Sequence, residues 1–237
     1  MQILSLKNKF LALSFVVFTS LTGGVLTACS PTTSENPNPT TTATETSDHQ
    51  HQHHGGMHHG GMHHGGMNHA MDLGPADASY DLRFIDGMIV HHQGAVVMAE
   101  DALEKSQRPE IKKLADEIIT AQNQEIAQMQ QWRSAWYPNA GDTPMAYHAE
   151  MGHMMEMTPE QKQAMMMSMD LGAADAEFDL RFINGMIPHH EGAVVMAQDA
   201  LQKSQRPEMK ELAKEIIQAQ ETEINQMKQW RQAWYNK

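Results

Sequence analysis

The segment Phe84-Ile85-Asp86-Gly87-Met88-Ile89-Val90-His91-His92 sets a thioether three and four residues ahead of two adjacent imidazoles. The chain repeats it as Phe182-Ile183-Asn184-Gly185-Met186-Ile187-Pro188-His189-His190. Residues three and four apart share a helix face, so Met88 can meet His91 or His92 at one point, and Met186 can meet His189 or His190. Thioether with imidazole suits a soft monovalent ion. Cu(I) takes such ligands and Ag(I) mimics it, whereas Zn(II) in a chain without thiols more often takes His with carboxylate. If the helix folds back near Arg108, a residue 20 before the turn faces one about 20 after it, which brings Met129 to Met88 and Met227 to Met186. Met98 and Met196 lie ten residues farther along, about 15 Å on a helix. They are expected at a second site or in the packing, not on the ion held by the methionine ten residues before them.

A methionine on a helical stripe ordinarily fills core, and a histidine there is ordinarily hydrogen-bonded. What favours metal is the duplication of the whole set in a chain with 21 Met and 15 His. Two further clusters add donors. The first, before residue 70, holds His58, His59, His63 and His64 among Gly-Gly-Met turns; such a tract captures Cu(II), Ni(II) or Zn(II) with little selectivity. The second, between the repeats, holds His148, Met151, His153, Met154, Met155 and Met157, read as exposed thioethers for a soft ion.

These residues need helices to position them. Asp72–Tyr137 aligns without a gap on Asp170–Tyr235, with 49 of 66 positions identical, so one supersecondary unit is used twice. Leu82, Ile85, Ile89, His92, Val96, Ala99 and Leu103 step by threes and fours, predicting a helix from about Pro75 to Ser106. Pro109 fits the first turn of a second helix, with Glu110 at the positive end of its dipole. The second repeat gives the same hairpin from about Ala173 to Tyr235. The fold class expected is all-α: an antiparallel four-helix bundle of two duplicated hairpins, behind an unstructured His/Met-rich tail. The parts are a signal peptide (1–28), tail (29–70), first hairpin (71–137), Met-rich linker (138–168) and second hairpin (169–237). Thr158, Pro159 and Gln161 predict a capping box opening a short linker helix through about Met169. Arg83 and Arg181 are read as structural ion pairs with Asp81, Asp86 and Asp179, and the four Trp as closing the bundle end.

Charge and cysteine content narrow the function. A net charge of −12 excludes a partner rich in phosphate, because nucleic acid is held through clustered Lys and Arg. Lys7 and Lys9 ahead of the apolar Phe10–Val17 run read as an export signal rather than a membrane span. Leu26-Thr27-Ala28-Cys29 fits both a lipobox and simple cleavage, so a periplasmic or extracellular protein, free or lipid-anchored through Cys29, is expected. The single cysteine leaves the mature chain without disulfides or thiolate sites, so metal falls to His, Met or oxygen.

No Glu-x-x-His occurs in either repeat, which argues against a di-iron carboxylate centre. Neither nucleophile elbow nor phosphate loop is present. The function expected is non-catalytic: an exported copper protein, without a small-molecule substrate, that sequesters or shuttles Cu(I) for copper resistance. Its partners would be copper ions and, for delivery, a copper exporter or a copper sensor exposed to the periplasm. The alternatives are a ferritin-like copper or iron oxidase and a nickel or zinc store built on the His tail.

At the duplicated Phe-Ile-x-Gly-Met-Ile-x-His-His segment the sequence resembles the ferritin-like bacterial family of domain of unknown function 305, in two copies over roughly residues 71–137 and 169–237. The resemblance implies a helical bundle, an extracytoplasmic site of action and a preference for Cu(I). Its motif falls on Met88, His91, His92 and on Met186, His189, His190.

Overall fold

The computed structural model describes residues 72–237. The predicted export signal, Cys29 and the tail with His58, His59, His63 and His64 lie outside the described residues. Each repeat forms one hairpin: α1 (Tyr80–Lys105) with α2 (Pro109–Trp136), and α4 (Phe178–Lys203) with α5 (Pro207–Tyr235). Between them stand β1 (Met145–His148), β2 (His153–Glu156) and the short α3 (Pro159–Met166).

The hairpin turns follow from local chemistry. Proline excludes the helical conformation from the residue before it, and Arg108 and Arg206 are accordingly extended, with ψ of 123° and 125°. Ser106 and Ser204 Oγ each accept the backbone N–H two residues on, so the tight connection keeps its donors satisfied.

The hairpins join through their first helices, α1 against α4. The pairing is antiparallel and nearly two-fold symmetric about His91 and His189, whose rings lie 3.9 Å apart. Tyr80 donates to Asp199 near the far end of α4, while Lys105 and Lys203 donate to Gly172 O and Gly74 O. The Trp pairs stack at 5.0 Å (Trp132, Trp136) and 5.1 Å (Trp230, Trp234). Each is capped by a guanidinium from the other repeat: Arg206 over Trp136 at 4.1 Å and Arg108 over Trp234 at 4.2 Å. The tryptophans therefore tie the two hairpins together as well as closing their ends.

Two expectations are corrected. The first helices begin at Tyr80 and Phe178, five residues after Pro75 and Ala173, because the preceding chain wraps around an arginine. Arg83 donates to the carbonyls of Leu73 and Pro75 and pairs with Asp77; Arg181 repeats this with Leu171, Ala173 and Asp175. The partners expected for these arginines are engaged elsewhere: Asp81 with Arg206, Asp179 with Arg108, and Asp86 with Arg133.

The linker is the second correction, since it forms an antiparallel hairpin with Met145 opposite Glu156 and His148 opposite His153, Met151 standing exposed in the turn as expected and Met154 and Met155 half-buried. Asp86 anchors it by accepting the Met145 N–H. The capping box is present, Thr158 and Gln161 satisfying each other's backbone donors, but the helix stops at Met166, where Met167 turns left-handed. Met157 and Met165 are buried, so they pack rather than offer free thioethers.

Candidate metal-binding site

Four residues per repeat form a square across the hairpin. On α1, Met88 and His92 are one turn apart; on α2, Glu125 and Met129 are one turn apart. His92 Nε2 lies 2.6 Å from Glu125 Oε2, and Arg133 pairs with the buried Asp86 at 2.5 Å on the other side. Those two bridges fix the register and set Met88 level with Met129 between them. His190 with Glu223, again at 2.6 Å, gives Met186 and Met227 the same relation. Met88, His92, Met129, Met186, His190 and Met227 are all wholly buried, so the expected pairing of each first-helix methionine with its second-helix partner stands on hairpin register.

Glu125 and Glu223 were missed as site residues, although the signal was in the sequence: the reflection that sends Met88 to Met129 sends His92 to Glu125. Their chemistry is specific. With the carboxylate accepting at Nε2, the tautomer that carries its hydrogen there leaves Nδ1 with a bare lone pair. Neither His92 Nδ1 nor His190 Nδ1 has a hydrogen-bond partner among the described residues. A carboxylate behind one ring nitrogen and an open lone pair on the other is the arrangement of a metal-ligating histidine.

His91 and His189 separate from their neighbours and meet at the symmetry axis. His189 Nε2–H is shared between the carbonyls of His91 (3.0 Å) and Met166 (3.1 Å), leaving Nδ1 open. Neither nitrogen of His91 has a partner. Burial, with the neighbouring histidines adding to it, holds His91 well below the usual imidazole range and brings His189 down to about 3. Both rings are therefore neutral near pH 7 and free to act as ligands. An unpartnered polar group in the core costs about 1–3 kcal/mol; four histidines with open nitrogens concentrate that cost at one level of the bundle.

Met98 and Met196 find their neighbours in the other repeat. Ten residues separate Met98 from Met88 along α1, but the antiparallel crossing at His91 and His189 carries each across to the other repeat. Met98 shares a continuous buried cluster with Met186 and Met227, and Met196 shares one with Met88 and Met129. A single-repeat reading could not see this, because the second hairpin supplies the neighbour.

The linker residues stand apart from this core. His148 and His153 face each other across β1 and β2, with Gln161 at 3.3 Å from His148 Nε2 and exposed Met151 in the turn between. Met154 and Met155 are half-buried on β2. Met157 alone of this group joins the core, in the cluster of Met88. No three His, Cys, Asp or Glu side chains gather as a metal site among the described residues.

Fold and site together define a duplicated, mostly helical bundle with thioether and imidazole groups in its interior. The family model described as "Domain of unknown function (DUF305)" matches residues 30–133 and 81–231, and the chain belongs to that family. Among solved structures it is similar to CopM in the Cu(II)-bound form (44% identity, TM-score 0.52) and in the Cu(I)-bound form (41%, 0.51). Each alignment covers 65% of this chain and 97% of that one. CopM in an Ag-bound form gives 41% identity and a TM-score of 0.52, covering 65% of this chain and 97% of that one. Uncharacterized protein L153 of Acanthamoeba polyphaga mimivirus is 43% identical over 49 residues, 21% of this chain and 32% of that protein. The chain thus matches about a third of that curated relative's length.

Proposed function

We propose that the protein is a non-catalytic copper-binding protein acting outside the cytoplasm, which takes Cu(I) into two soft sites. The first is formed by Met88, His92, Met129 and Met196, the second by Met186, His190, Met227 and Met98, with His91 and His189 between them. The observation that carries this reading is the open Nδ1 on buried His92 and His190, each backed by a glutamate at 2.6 Å. A buried lone pair with no hydrogen-bond donor, among methionine side chains, has a soft cation as its natural partner. The similar CopM structures hold Cu(I), Cu(II) and Ag, which supports copper as the cargo and Ag(I) as its mimic.

The linker donors His148, Met151, His153, Met154 and Met155, and the tail donors His58, His59, His63 and His64, serve as outer capture sites, the tail also for Cu(II). Sequestration or hand-over to a copper exporter or sensor in the periplasm follows from binding without catalysis. Anaerobic titration with Cu(I) against a chromogenic chelator tests the proposal, using the chain with and without residues 49–69. About two Cu(I) should remain bound without the tail segment. Fewer than one per repeat, or copper-dependent oxygen consumption, overturns it.

A further inference from the structure

We infer that Met169 is a metal ligand at the surface of the second repeat's site, the point where Cu(I) or Ag(I) is taken in from solvent. This rests on the two-site reading above and makes those sites unequal in access. The geometry lies at Gly185, the residue before Met186. Where a Cβ would stand on Gly185, Met169 Sδ lies 2.6 Å away and Met98 Sδ 3.6 Å away. Two thioether sulfurs thus converge on the space left by a missing side chain. Met98 is wholly buried in the cluster of Met186 and Met227, whereas Met169 is 48% exposed. One of the two residues reaches solvent and the other lies in the core.

The backbone around Met169 is held on both sides. Before it, the Met166 carbonyl lies against Gly94 and accepts from His189, and Met167 makes the left-handed turn that ends α3. After it, Leu171 is buried and Asp170 accepts the Gly172 N–H. The half-exposed methionine therefore sits on an anchored segment. The first repeat differs at the corresponding Gly87, whose open space is filled by Leu73 Cδ2 at 3.3 Å and by the Cε and Sδ of Met165 at 3.4 and 3.9 Å, both residues being buried. Among the described residues no exposed thioether lies over Gly87.

The physical need for such a residue comes from desolvation. A bare cation moved from water into a dry core costs many kcal/mol. An ion that gains a thioether at the surface before it loses its last water avoids that state. Transfer from Met169 to Met98 and then to Met186 and Met227 exchanges one sulfur ligand for another, with no change of oxidation state.

The test is Ag(I) loading of the full chain carrying 13C-methyl methionine, followed by NMR, with Met169 identified by the resonance lost in Met169→Leu. In the wild type, the Met169 methyl should move with the first additions of Ag(I), together with those of Met98, Met186 and Met227. In Met169→Leu the three core methyls should still reach their bound positions, but about tenfold more slowly by stopped flow, equivalent to ~1.4 kcal/mol in the barrier. Gly185→Ala, whose new methyl displaces the Met169 sulfur, should slow loading similarly, while Met165→Leu should leave the second site's loading rate unchanged. Core methyls that respond while Met169 stays silent, or an unchanged rate in both Met169→Leu and Gly185→Ala, overturn this inference alone. Core methyls that stay silent at saturating Ag(I) overturn the two-site reading and this inference with it.

Discussion

The two repeats share 49 of 66 positions, yet they are surrounded differently. The duplicated set, Met88, His91, His92, Glu125 and Met129 against Met186, His189, His190, Glu223 and Met227, is preserved without exception. The covering of the two sets is not, because the linker exists once. In the first repeat, buried Asp86 takes both Arg133 and the Met145 N–H, so the β-hairpin is fastened over that end of the helix pair. In the second, Asn184 accepts a single 3.2 Å bond from Arg231, whose Nε has no partner. Duplication accounts for the paired side chains; the single linker accounts for their different coverings.

The largest effect that can break this comparison is loss of an ion from one repeat. Replacing Met88, His92 and Met129 together by Leu, Ala and Leu should remove about one Cu(I) per chain and leave the second site filled. The crossing of α1 and α4 adds a sharper demand: Met196→Leu should weaken the first repeat's site, and Met98→Leu the second's. Competition with a Cu(I) chelator reads both. If Met196→Leu instead weakens the second site, the assignment of sulfurs across the two repeats is wrong.

How much of this was legible beforehand depends on range. The stripes of α1, the prolines after each turn and the Thr158–Gln161 box are local signals, and they predicted the hairpins and the capped linker helix. Met129 and Met227 were found because a hairpin is a reflection about a known turn. The neighbours of Met98 and Met196 were not legible because they come from the other repeat, and sequence carries no register for a packing of α1 on α4. The β-hairpin was hidden by composition: Met-Ala-Tyr-His and His-Met-Met-Glu have weak strand character, and it is Asp86, 59 residues before Met145, that anchors the first of them.

Next in size is the difference between Asp86 and Asn184. Burial raises the Asp86 pKa, while Arg133 and the Met145 N–H oppose that shift, so the carboxylate depends on both partners. Asp86→Ala strands the Arg133 charge and should cost about 3–5 kcal/mol in urea unfolding. Asn184→Ala removes one neutral-acceptor bond near the surface and should cost about 1 kcal/mol. Equal losses would mean that the linker is not fastened through Asp86.

The histidines at the boundary give a smaller, pH-dependent effect common to both repeats. His91 and His189 titrate in the folded protein below the ordinary value of about 6.5, His189 at about 3. Between those limits the unfolded chain binds protons that the native chain does not, so stability rises with pH and levels off above about 6.5. The slope should approach about 1.4 kcal/mol per pH unit for each histidine. Metal-free unfolding between pH 5 and 7 measures it. The double variant His91→Leu/His189→Leu should flatten the dependence; an unchanged slope would assign it to other groups.

The smallest expected effect concerns Pro188, which stands inside α4 where the first repeat has Val90. Proline has no N–H to give the carbonyl four residues back, that of Asn184, and its ring crowds the same carbonyl. An interior proline costs a free helix about 3 kcal/mol, but α4 continues through it to Lys203, so packing on α1 and α5 absorbs most of that. Pro188→Val restores the first repeat's residue and one helical hydrogen bond, and should raise the urea midpoint by the equivalent of ~1 kcal/mol. The opposite result is informative too. A loss of stability would show that α4 needs the altered local geometry to bring His189 onto the Met166 carbonyl, a contact absent at the corresponding His91, and the two repeats would then differ in helix shape as well as in covering.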